Sequence, residues 1–139
     1  MTAILLILGG AVFSVLGGLH AIYTFLDIRN PRRLVPVDPS VAQAMVNSAL
    51  RLSRGGTDMW RAWIGFNFSH SLGVFLVGVI GIGAGCRIKT LPVHIIAPAL
   101  TLIGCIYEIL ALLYWFSIPA LGVAVATGCF AAAWLLSLR

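Results

Sequence analysis

The chain has 139 residues, 60% of them hydrophobic and only 9% charged, with a formal net charge of +5 and a mean hydropathy of +1.05. A soluble domain usually carries about 25% charged residues, so this composition cannot cover a surface in water. A nucleic-acid-binding surface is excluded as well. Lys and Arg sit in short gaps between long apolar runs, where they report topology and contact with anionic lipid.

The first apolar run predicts a membrane span over about residues 2–26. It opens without a basic leader and is too long for a signal-peptide core, so it reads as a retained span. Of the pairs Gly9-Gly10 and Gly17-Gly18, Gly10 and Gly17 are seven residues apart, on nearly one helix face, and suit close helix approach. His20 and Tyr23 follow on a shared face. Asp27, Arg29 and Pro31 mark the exit.

The gap from Asp27 to Arg61 is the one sizeable extramembrane piece. Asp38-Pro39 is a good helix start, and an amphipathic surface helix is expected over about 39–54. Val41, Met45, Ala49 and Leu52 would form its apolar face, and Gly55-Gly56 its stop. A second span is expected over about 62–85, rich in glycine in its second half. Arg87 and Lys89 form a short gap, and a third span follows over about 91–116 with Pro98 inside it. The fourth, over about 119–138, places Ala120, Ala124, Gly128 and Ala132 at every fourth position, which reads as a small-residue seam. The fold class is therefore all-α: a four-helix transmembrane bundle with one surface helix, a single integral membrane domain over 1–139. Cys86, Cys105 and Cys129 form no CxxC pair, and their odd number excludes a complete disulfide framework.

Four spans put gaps one and three on one face. Gap one holds six arginines, so the positive-inside rule favours a cytoplasmic 27–61 segment and outward termini. Measured from that face, polar residues of all four spans fall at similar depth. His20 is six residues before Leu26, Asn67 six after Arg61, Glu108 eight before Phe116 and Thr127 eight after Pro119. At 1.5 Å per residue these depths are roughly 9–12 Å, and His70, nine residues after Arg61, lies at about 13 Å. Glu108 is the one acid inside a span and must be paired, protonated or facing water.

Glu108, His70 and His20 are the candidate catalytic residues, and Asn67, Ser71, Tyr23, Thr127 and Trp115 the candidate ligand-binding ones. For each there is a plainer alternative: hydrogen bonds that fasten the helices, or, for Tyr23 and Trp115, interfacial belt positions. His, Glu and Asn together support acid–base chemistry on a lipophilic substrate, such as isomerisation or hydration of a double bond. The two histidines could instead ligate a b-type haem, or join Glu108 around one metal. No cofactor or metal is called for by a motif: phosphate loop, HExxH, CxxCH and dinucleotide fingerprints are all missing.

The block Gly65-Phe66-Asn67-Phe68-Ser69-His70-Ser71-Leu72-Gly73, with Gly18 and His20 in span one, resembles a family of small bacterial four-helix membrane proteins of unknown function. That resemblance implies a bacterial inner-membrane protein in which Asn67 and His70 belong to the signature, and it implies no reaction. The mixture of His, Glu, Asn and Trp inside a bundle is loosely similar to integral membrane sterol isomerases, without any shared ordered motif. The leading expectation is a membrane protein that binds a lipophilic small molecule or membrane lipid. The alternative is a non-catalytic subunit packing through Gly and Ala seams, as a homo-oligomer or against another membrane protein.

Overall fold

The computed structural model describes residues 1–138. Five α-helices run in chain order: α1 Thr2–Arg29, α2 Pro39–Asn47, α3 Met59–Cys86, α4 Val93–Tyr114 and α5 Ser117–Ser137, with a 3-10 turn at Arg51–Ser53 before α3. α1, α3, α4 and α5 are long and apolar enough to cross a membrane. Their outward positions carry large hydrophobic side chains, such as Leu112 and Leu121, each 69% exposed. Exposed apolar area on that scale is unsustainable in water and normal against acyl chains. The chain is a multi-pass membrane protein.

The chain divides into two compact units. The first holds Met1–Gly17 and the chain from Gly73 onward, and the second holds Gly18–Leu72. The first unit contains the hydrophobic core. α1 supplies Leu6 and Phe13, α3 supplies Val74, Val77 and Ala84, α4 supplies Val93, Ala97 and Leu100, and α5 supplies Val123, Ala126, Phe130 and Ala133. Phe13 stacks on Phe130 at 5.8 Å between ring centroids and meets Tyr107 edge-on at 5.9 Å. Glycine permits the tightest contact. A Cβ on Gly10 would lie 2.5 Å from the carbonyl oxygen of Gly78, so α1 and α3 touch backbone to backbone.

Two expectations need correction here. The small-residue row of α5 is not its buried seam. Ala120 is buried, but Ala124 and Gly128 are exposed and Ala132 is half-buried, while Val123, Ala126, Phe130 and Ala133 face the core. Steps of four advance 400° in an α-helix, so such a row drifts about 40° per step off any straight contact line. The buried set instead steps mainly by three and four.

The surface helix ends at Asn47 rather than near Arg54. Its start is as expected: Asp38 caps it, accepting from the Ser40 N–H at 2.8 Å. The bonds from Ser40 hold the Asp38 carboxyl below its ordinary pKa. Beyond Asn47, closure of a small loop wins over helix continuation. Ala49 bridges Asp58, Leu50 N–H donates to Thr57 O, and Met59 N–H to Ser48 O. The Ser53 hydroxyl donates to Leu50 O and accepts from Thr57 N–H. Arg54 and Gly55 turn the chain with φ of 49° and 91°, a conformation suited to glycine at the second position. Asp58 then caps α3 by accepting from Arg61 N–H at 2.7 Å.

Candidate functional site

The second unit gathers polar residues from the end of α1 and the start of α3. His20 projects from α1 and Asn67 from α3, and His20 Nε2 lies 2.8 Å from Asn67 Oδ1. Asn67 is 2% exposed. Its amide nitrogen donates to Trp63 O at 2.8 Å, one turn back along α3. That bond fixes the amide, leaving the oxygen toward His20 and making His20 Nε2 the donor. Nδ1 is then the acceptor nitrogen of the neutral ring.

His70 follows Asn67 by three residues and meets His20 edge to face, with 5.3 Å between ring centroids. Its other face lies nearly parallel to Phe66 at 6.1 Å. Phe66 is 58% exposed, so the imidazole pair borders the lipid-facing surface of α3. Ser71 is buried and donates back to Asn67 O at 2.6 Å, a bond that satisfies its hydroxyl inside its own helix.

Three residues of this unit escaped the sequence reading. Thr24 and Asp27 are buried on the α1 face that carries His20, at spacings of four and seven that share a helix face. The Thr24 hydroxyl donates to His20 O. Asp27 is 1% exposed and grips the strap of chain that follows α1. Its carboxylate accepts from the N–H groups of Arg32, Arg33 and Leu34, the last at 2.7 Å, and from the Arg33 guanidinium at 3.5 Å. Trp63 closes the circuit, since its indole N–H donates to Leu34 O at 2.9 Å. One path of hydrogen bonds therefore runs from the strap through Trp63 and Asn67 to His20.

The remaining candidates are placed differently. Tyr23 is exposed, and the Arg33 guanidinium lies 5.6 Å from its ring centroid, a cation–π contact in an interfacial position. Glu108, Thr127 and Trp115 belong to the four-helix unit. Glu108 is half-buried, and its Oε2 is buried with no hydrogen-bond partner among the described residues. The Thr127 hydroxyl shares that condition and packs over Gly104. Trp115 caps the end of α4 and lies against Phe116.

The arrangement bears on two alternatives. Among the described residues no group of three or more His, Cys, Asp or Glu side chains is placed to hold a metal ion. The two-histidine haem does not fit either. A porphyrin plane must stand between its axial imidazoles, whereas these two rings meet edge to face at 5.3 Å and His20 Nε2 is taken by Asn67. No family model, characterised protein or solved structure matches the chain.

Proposed function

We propose that the protein binds a lipophilic small molecule against the His20–Asn67–His70 cluster, and that the cluster is competent for acid–base chemistry such as isomerisation or hydration of a double bond. The observation that carries this reading is the second imidazole. His20 and Asn67 already pair across α1 and α3. His70 adds a proton-exchanging group beside the exposed ring of Phe66, on the side from which a lipid-dissolved molecule arrives. Histidine exchanges protons near neutrality, and Asn67 sets which nitrogen of His20 carries one.

Glu108 is the second ionisable group expected to matter, because a buried carboxyl oxygen without a partner among the described residues calls for a polar ligand group. The arginine-rich 27–61 segment supports a cytoplasmic placement with outward termini, and the 65–73 block supports a bacterial inner-membrane protein of the resembled family. A non-catalytic partner subunit is the second reading. It is favoured by Ala124 and Gly128, which present a small-residue face on the outside of α5.

Mass spectrometry of lipid co-purifying in mild detergent tests the proposal. The wild type should retain one lipophile that His70→Ala loses while remaining folded. Equal retention by the variant would leave the subunit reading in possession.

A further inference from the structure

We propose that a groove beside the strap seats the phosphate of an anionic phospholipid, with Arg32 as its cationic contact. None of its lining residues belongs to the His20–Asn67–His70 cluster. The groove has a volume of about 780 Å³ and lies between the end of α1, the strap, α2 and the start of α3, a size normal for small-molecule sites. Ile28, Val35, Val37 and Val46 give it apolar walls, and Gln43 and Trp60 add polar and aromatic edges.

Its level in the membrane follows from length. α1 has 28 residues, about 42 Å at 1.5 Å per residue, against a hydrocarbon core of about 30 Å. Asp27 and Arg29 place that excess at the C-terminal end of α1, in the headgroup layer where tryptophan and arginine are at home.

The charge is arranged for an anion. Segment 27–61 holds six arginines against three aspartates. Asp27 is already saturated by strap N–H groups and Arg33. Arg33 is shared between Asp27 and Tyr23, whereas the guanidinium of Arg32 has no hydrogen-bond or ion-pair partner among the described residues; both arginines are among the residues that line the groove. The strap that presents it is fixed in advance. Three consecutive backbone N–H groups point at one buried carboxylate, Trp63 holds Leu34 O, and Pro31 and Pro36 stiffen the chain. Such preorganisation lowers the ordering cost of binding. The apolar walls then suit glycerol and the upper acyl chains, which a free phosphate or an acidic peptide does not supply.

The test is native mass spectrometry of the full chain in detergent, titrated with dioleoyl phosphatidylglycerol and with dioleoyl phosphatidylcholine. The wild type should prefer phosphatidylglycerol, and Arg32→Gln should weaken that preference about fivefold, the effect of one basic residue at an anionic surface. Arg32→Lys should keep most of it. Val46→Glu, which places a like charge on the groove wall at an exposed position, should also reduce it, and covers the case in which Arg32→Gln does not fold. His70→Ala should leave the preference in place. Equal binding of both lipids by the wild type, or an undiminished preference in Arg32→Gln and Val46→Glu, would overturn the site. Displacement of the lipid by millimolar inorganic phosphate or by an acidic peptide would overturn the assignment to phospholipid.

Discussion

Asn67 is the residue on which the second unit turns, because it joins His20, Trp63 and, through its carbonyl, Ser71. Asn67→Ala should lower stability by about 1–3 kcal/mol, since it strands buried groups on both partners. A double-mutant cycle with His20→Ala, read by thermal unfolding in detergent, should give a coupling of about 0.6–1.7 kcal/mol, the range for polar pairs between membrane helices. Additive effects would show that the two side chains do not interact. Asp27→Asn should loosen the strap by replacing a carboxylate that gathers four donors, and limited proteolysis should then cut near residues 30–36 faster than in the wild type. Unchanged cleavage would contradict the strap's dependence on that charge. At this scale Asn67, His20 and His70 were legible in the sequence because a polar side chain in an apolar run needs a partner. Asp27 and Trp63 were not, because an acid at a span end and an aromatic near an interface have ordinary explanations. Their partners are main-chain groups of a strap whose path no side-chain pattern records.

Among the helices, α1 and α3 touch backbone to backbone at Gly10 and Gly78, and that contact has little give. A Cβ on Gly78 would meet the backbone of both Gly10 and Ser14. Gly78→Ala should therefore cost about 1–3 kcal/mol through overpacking, whereas Gly83→Ala, with open space around it, should be near neutral. Equal unfolding temperatures for the two variants would show that the helices are not in backbone contact. The four spans were legible because hydrophobic length alone identifies a membrane helix. The contact face of α5 was not, because a four-residue row of small side chains and the true buried face share only Ala120. The end of α2 was missed for another reason. Its amphipathic pattern continues past Asn47, but the pairing of Ala49 with Asp58 is a longer-range event that local periodicity does not register.

For the molecule as a whole, membrane insertion is settled by composition and helix length, and orientation is open to direct test. In a background without native cysteines, Gln43→Cys on α2 should resist a membrane-impermeant maleimide on intact cells and react after the membrane is opened. Rapid labelling of intact cells would reverse the proposed orientation. The central claim is that a lipophile sits against the imidazole pair, and its most direct measurement is photo-crosslinking from Phe66, the exposed ring that lies along His70. A photoreactive phenylalanine analogue at position 66 should yield one dominant lipophile adduct by mass spectrometry, and His70→Ala should abolish it. The same analogue at exposed Leu112 on α4 should capture bulk phospholipid indiscriminately. A mixture of ordinary phospholipids at position 66, unchanged by His70→Ala, would contradict the account.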